Sequence, residues 1–532
     1  MSPSTRRRAR SHALLTAAAL AACGGGGDPV APPVVTPPAT RPLLPTTYRA
    51  TGRAAAGDVM VHLFEWPWAS IASECEQVLG PAGYRAVQVS PPQEHAVVAL
   101  NGGNPWWQRY QPVSYSLGRS RSGTEAEFAG MVARCRAAGV DIYVDAVINH
   151  MTGLASGTGS NGTAFTKYNY PGTWTAADFH PACGISSYQD EAQVQDCELV
   201  GLADLNTGSA SVRQRLADYL VRLARLGVAG FRIDAAKHIQ PVELDGVVAL
   251  ANRALAAEGR ALPYYFLEVI DYGGEAVRAD AYFGVGYASG GAADVTEFRV
   301  RGVSDKFTPL GAQKVSDLRT FSQANWGILP SDKAVVFLEN HDTARDAGNP
   351  GLGYRNGQVY RLGMVYLLGQ PYGYLSVLSG YAFERATQAG RDAGPPSDAS
   401  GQTLPVACAG SLEAAQVGQW VCEHRDPVLR AMVGFRKATA GTELTWRWDD
   451  GANAVAFSRG DRGFVVINRN AAAARVVTAT GLAAGEYCDV LTGGRLAGGG
   501  CAGTRVTVAA GGGVNVEVPA LTAVVLRADV RP

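Results

Sequence analysis

Between Asp58 and about residue 377 the sequence alternates short apolar runs with amphipathic stretches, and few folds accommodate that rhythm. The apolar runs are 58–64 (DVMVHLF), 84–90 (YRAVQVS), 140–148 (VDIYVDAVI), 227–233 (GVAGFRI), 264–270, 294–298, 334–338 and roughly 371–377. Each has strand length, and the text between them keeps helical periodicity. Phe128, Met131, Val132 and Cys135 recur at i, i+3, i+4 and i+7, and so do Val212, Leu216, Tyr219, Leu220 and Leu223. Eight strands alternating with helices predict an α/β chain closed into a (β/α)8 TIM barrel. A doubly wound open sheet is the alternative, but no Gly-rich dinucleotide turn follows the first strand.

Two stretches break the rhythm. Residues 151–208, after the third strand, are rich in Gly, Thr and Asn. They exceed an ordinary βα loop and read as an inserted subdomain. From 441 to 532 helical periodicity gives way to alternating strands punctuated by DDG and GDRG turns, which predicts a separate antiparallel β-sandwich domain. The barrel proper is thereby assigned to 48–440. Residues 24–47 are a Pro/Gly-rich linker without periodicity.

The first 23 residues read as an export signal. Arg6, Arg7, Arg8 and Arg10 precede the apolar run Ala13–Ala22, which is too short to span a bilayer. Its end, Leu20-Ala21-Ala22-Cys23, resembles the lipobox of bacterial lipoproteins, which would lipidate Cys23 and tether an extracellular or cell-surface protein to a membrane. The remaining eight cysteines suit an oxidising compartment. Their spacings pair naturally as Cys75–Cys135, Cys183–Cys197, Cys408–Cys422 and Cys488–Cys501, although sequence alone permits many connectivities. Lys+Arg and Asp+Glu balance at 47 each, leaving no basic footprint for nucleic acid. No CxxC or HExxH argues for zinc.

In such barrels chemistry sits where strands end on the C-terminal face. The third strand ends in Asp145-Ala-Val-Ile-Asn149-His150 and the fourth in Arg232-Ile-Asp234, followed by Lys237 and His238. The fifth carries Glu268, and the seventh runs into Glu339-Asn340-His341-Asp342. Three carboxylates converging on one mouth suit glycoside hydrolysis, in which one attacks the anomeric carbon and a protonated partner donates to the leaving oxygen. Glu268 emerges from the apolar YYFL, which favours its neutral form. Arg232, two residues before Asp234, favours that residue's carboxylate.

These segments resemble the four signature regions of the α-amylase family of glycoside hydrolases: DAVINH (145–150), GFRIDAAKH (230–238), EVID (268–271) and ENHD (339–342). Within that family VHLFEWPWASIASECE (61–76), VQVSPPQEH (87–95), PWWQRYQPVSY (105–115), GLADLN (201–206) and GANAVAFSRGDRGFVVINRN (451–470) resemble the animal-type members and their bacterial relatives. The resemblance implies retaining endo-hydrolysis of α-1,4-glucosidic bonds in starch, glycogen or maltooligosaccharides by a monomer. A maltooligosaccharide-forming or transglycosylating relative is the nearest alternative; a non-catalytic glycan-binding protein would be expected to have lost the triad.

It further implies Asp234 as nucleophile, Glu268 as acid and then base, and Asp342 as the group that binds and distorts the sugar. Trp106, Trp107, Tyr110 and Gln111 would line the sugar subsites. Asp145, His150, Arg232 and His341 would support or contact the bound ring, and Lys237 and His238 would serve the leaving side. One structural Ca2+ is implied, held by Asn149 and Asp204 with the carbonyls of Gln195 and His238. Animal-type members often hold chloride between an Arg, an Asn and a second cation. Arg232 and Asn340 match the first two, while counting back from Pro371-Tyr372-Gly373 puts neutral Gln358 third, so chloride is expected not to be required. The family's Gly/His-rich loop after the seventh strand is replaced by TARDAGNPGLGY (343–354), and one family disulfide is absent, with Gly118 and Thr152 near its positions.

Overall fold

The computed structural model describes residue 44 and residues 47–532, except 309–311 and 349–350. Cys23, the signal and nearly all of the linker lie outside the described residues. Eight parallel strands close a barrel: β1 (Val59–Leu63), β2 (Ala86–Val89), β3 (Asp141–Ala146), β4 (Gly230–Ile233), β5 (Tyr264–Leu267), β6 (Ala293–Thr296), β7 (Ala334–Val336) and β8 (Tyr374–Ser379). All eight predicted strands are present. The last starts three residues late, because Gly373 turns the chain with φ 65° before β8 can begin.

The barrel interior is a packed aromatic layer. Met60, Ala86, Tyr143, Tyr264, Phe266, Val335 and Tyr374 form one buried cluster. Gly230 is there because of it. A Cβ at that position would stand 2.7 Å from both the Tyr143 ring and the Tyr264 carbonyl, so the residue opening GFRID has to lack a side chain. Outside the barrel, helices Glu125–Ala137 and Ala210–Arg225 bury the apolar stripes that the sequence spacing predicts.

The insertion is held by short pairings instead of a core sheet. His150–Met151 pairs antiparallel with Ala203–Asp204, and Ser156–Thr158 with Ala164–Thr166. The C-terminal region comprises β9 (Leu444–Asp449), β10 (Ala454–Arg459), β11 (Gly463–Asn468), β12 (Ala474–Ala479), β13 (Gly485–Cys488), β14 (Arg505–Val508), β15 (Gly513–Val518) and β16 (Thr522–Arg527). They form two antiparallel sheets, ordered β9-β10-β11-β16 and β12-β15-β14-β13. A core that includes Phe464, Val476, Tyr487 and Leu526 lies between them. The cysteines pair as their spacing suggests, in four disulfides: Cys75–Cys135, Cys183–Cys197, Cys408–Cys422 and Cys488–Cys501.

Two buried arginines hydrogen-bond to backbone carbonyls at one end of the barrel, and one of them, Arg459, reaches across from the β domain. Arg436, on helix Pro427–Ala438, donates to the carbonyls of Leu367 (3.3 Å), Gln370 (2.5 Å), Tyr372 (3.0 Å) and Gly373. Arg459, from β10, donates to the carbonyls of Gly369 (2.9 Å), Thr439 (3.0 Å) and Thr442 (3.1 Å). Both guanidiniums reach the C-terminus of helix Gln358–Gly369, where unsatisfied carbonyls and the helix dipole favour a cation.

Candidate active site

Strand register assembles the carboxylates. Ile233 of β4 pairs with Leu267 of β5, so the next residues, Asp234 and Glu268, leave the barrel side by side. Arg232 is directly opposite Asp145 on β3. Its Nη1 donates to Asp145 Oδ1 (2.5 Å) and Asp234 Oδ1 (2.8 Å), and its Nη2 lies against Glu268 Oε1. Tyr110 donates its hydroxyl to Asp145 Oδ2 at 2.9 Å. Ala235 turns with φ 49°, a left-handed conformation unusual for a non-glycine residue, and its N–H donates to Glu268 Oε2 at 2.9 Å.

This geometry corrects one expectation. Arg232 does not serve Asp234 alone, and Glu268 is not isolated among apolar groups: one guanidinium is shared by three carboxyls. Burial pushes Asp145 and Asp234 upward, against the opposing pull of Arg232. Desolvation in the cleft, followed by the Glu268 charge, raises Asp342 to about 7. Burial works against the charge on Arg232, but Asp145, Glu268 and Asp234 more than compensate.

His341 anchors the opposite wall. Its ring stacks on Tyr110 (5.2 Å, 8°) and Phe64 (4.9 Å, 26°) and meets the edge of Trp106 at 5.6 Å. Its Nε2 lies 3.3 Å from Asp342 Oδ2, and that carboxyl is 42% exposed to the cleft. Burial lowers His341 well below the usual histidine range and His150 to about 4, so both are neutral hydrogen-bonding groups. Trp106 and Trp107 are half-buried in one 3-10 turn that ends at Tyr110. Gln111 accepts from Thr152 Oγ1 (2.7 Å) and the Gly153 N–H (3.0 Å), which ties the aromatic loop to the insertion.

On the other side, Lys237 donates to the Ile270 carbonyl (2.6 Å), forms an ion pair with Glu275 and lies 5.2 Å over the Tyr188 ring. Sequence reading did not single out Tyr188, Ile270 or Glu275. Tyr188 and Ile270 are exposed apolar side chains, and only the fold brings them beside Lys237.

The predicted calcium ligands gather where insertion meets barrel. His150 pairs with Asp204 across a short antiparallel ladder, and the Asn149 carbonyl accepts from Leu205 N–H at 3.0 Å. His238 Nδ1 contacts the carbonyl of Val194, the neighbour of Gln195, at 2.8 Å. Asp204 Oδ2 pairs with His180 at 2.7 Å, while its buried Oδ1 has no hydrogen-bond partner. Burial raises this carboxyl to about 7. No group of three or more His, Cys, Asp or Glu able to hold a metal occurs among the described residues. A set built from one carboxylate, one amide and carbonyls is a hard-oxygen set of the kind calcium takes, and the orphaned Oδ1 fits it.

Gln358 precedes β8, as the sequence count has it. It opens helix Gln358–Gly369 with its side-chain oxygen 3.4 Å from Arg361. Ser376 and Leu378 of β8 line a cavity of about 20 Å³ with Arg232 and Asn340. Strand pairing places Ser376 opposite Met60, level with the inward layer.

Fold and site together define a barrel protein with an acid cluster and neutral histidines at the C-terminal strand ends, an arrangement equipped for hydrolysis by paired carboxylates. Comparisons narrow that class. Residues 105–254 match the α-amylase catalytic domain and 447–529 the α-amylase C-terminal all-β domain. An α-amylase of Tribolium castaneum is 41% identical over 473 residues, covering 88% of this chain and 92% of the relative. An α-amylase-related protein of Drosophila melanogaster is 42% identical over 460 residues, covering 85% and 89%. A mutant of α-amylase I from the earthworm Eisenia fetida, solved with maltohexaose, superposes with a TM-score of 0.81 at 37% identity, covering 88% of this chain and 97% of that one. The chain belongs to the α-amylase family of glycoside hydrolases.

Proposed function

We propose that the protein is an exported α-amylase that hydrolyses internal α-1,4-glucosidic bonds of starch, glycogen and maltooligosaccharides with retention of anomeric configuration. The observation that carries the reading is the adjacency of Asp234 and Glu268 around one shared guanidinium. Asp234 attacks the anomeric carbon and forms a glycosyl-enzyme. Glu268 gives its proton to the leaving oxygen and then takes one from the incoming water. Asp342, at the cleft surface, steadies the oxocarbenium-like ring. Trp106, Trp107 and Tyr110 stack on or border sugar faces, and Lys237 with its neighbours contacts the leaving side. The maltohexaose held by the earthworm relative supports a linear α-glucan as substrate. Release of reducing ends from soluble starch by the purified protein tests the reading, and an inert protein would sink it.

Calcium belongs to the same proposal. Asn149, Asp204 and the carbonyls of Gln195 and His238 would hold it, and it would supply the positive charge that the buried Asp204 oxygen lacks. Chelation is expected to lower Tm by about 5 °C or more, with recovery on adding Ca2+. Asp204→Asn should lose most of that calcium-dependent shift, and equal Tm with and without chelator would contradict the assignment. Ser376 is neutral, as Gln358 is, so the Arg232–Asn340 cavity has only one cation to attract an anion. NaCl is expected to change the activity of the desalted enzyme by less than about twofold, since screening of surface charge is all it would alter.

A further inference from the structure

Arg345 follows Asp342 by three residues and closes the same turn, its N–H donating to the Asp342 carbonyl at 2.9 Å. Its side chain is buried and sits among four aromatic rings. The guanidinium carbon is 4.2 Å from the Phe383 ring centroid, 5.0 Å from Phe64, 5.1 Å from Trp106 and 5.3 Å from Tyr381. Nη1 donates to the His341 carbonyl at 2.8 Å, while the buried Nε has no partner. Among the described residues no carboxylate lies within ion-pair distance of it, so pairing with an acid does not explain its burial. Two of its ring partners, Phe64 and Trp106, also contact His341.

Resting on the proposed α-glucanase reading, we infer that Arg345 is a positioning residue that fixes the Trp106 platform and His341 in register with Asp342 and so sets affinity for the bound glucan. A planar guanidinium can lie against several ring faces and still hydrogen-bond in its plane. A lysine ammonium keeps the charge but cannot do both. The contacts come from the residue after β1, the Trp106 turn, the β8 loop and the β7 loop, so one side chain ties together four segments of the cleft wall. Phe383 is shared with Arg355, whose guanidinium carbon lies 4.3 Å from the same ring centroid.

The test uses the full-length protein, with maltohexaose as probe. Arg345→Lys is expected to raise KM about tenfold while kcat changes less than about threefold. Arg345→Gln, which also loses the charge, provides a second variant if the lysine form folds poorly. Trp106→Ala should absorb most of the effect: in that background Arg345→Lys should change KM by less than about twofold. An active wild type with KM unchanged in Arg345→Lys overturns the inference, as does full additivity with Trp106→Ala. A lowered Tm with unaltered kinetics of the folded variants would overturn it too. A wild type that releases no reducing ends overturns the proposed function instead.

Discussion

Asp234→Asn should lower kcat on starch by about 10⁴-fold or more with the fold intact, because a neutral amide cannot form the glycosyl-enzyme. The substitution is nearly isosteric, and the Arg232 guanidinium keeps Asp145 and Glu268 as partners, so the site should not collapse. Thermal unfolding and the activity assay, run on one preparation, separate the two effects. A large loss of activity at unchanged Tm is the expected outcome. Activity within tenfold of wild type would mean that another group attacks, and the proposed mechanism would fail. Glu268→Gln should lose a comparable factor on starch but much less on an aryl glycoside, whose leaving group needs no proton.

The second large effect concerns stability. Arg436→Leu strips a donor from four carbonyls around the end of helix Gln358–Gly369, of which, among the described residues, Leu367 alone keeps a second donor, the Gln370 N–H. Each stranded acceptor costs about 1–3 kcal/mol when nothing replaces the donor, and relaxation makes the sum smaller than four such penalties. We expect a loss of about 3–5 kcal/mol and a fall in Tm of at least about 5 °C. Burial lowers Arg436 to about 9, with the neighbouring Arg459 charge adding to the shift, so the native state already holds this cation at some cost. A lysine cannot reach four divergent carbonyls, and Arg436→Lys should recover little. At 20 °C the folded fraction should still turn over starch normally, since the clamp lies far along the chain from the acid cluster. A variant as stable as wild type would show that the packing of helix Pro427–Ala438 against the turn before β8 does not depend on it.

Much of this was legible in the sequence. Eight apolar runs gave the barrel, because strand-length segments separated by helical stripes have few other closed solutions. The strand-end acids pointed to the active face, and cysteine spacing pointed to the four disulfides. What remained hidden was whatever depends on register between strands distant in sequence. Arg232 and Asp234 are two residues apart, which suggested that the cation favours that carboxylate. Pairing Arg232 with Asp145 on β3, and Asp234 with Glu268 across β4 and β5, makes it a shared cation instead. His180 and Arg345 carried no motif at all; their partners, Asp204 and four rings from separate loops, meet only after folding.

The relatives named α-amylase and α-amylase-related establish the family; the chemistry rests on the acid cluster itself. Its most direct test is the anomeric form of the first product, followed by proton NMR as maltohexaose is cleaved. The side-by-side exit of Asp234 and Glu268 predicts that the α-anomer appears first and then mutarotates toward equilibrium. Initial release of the β-anomer would require a water between the carboxyls and single displacement, and would contradict the assignment of Asp234 as nucleophile.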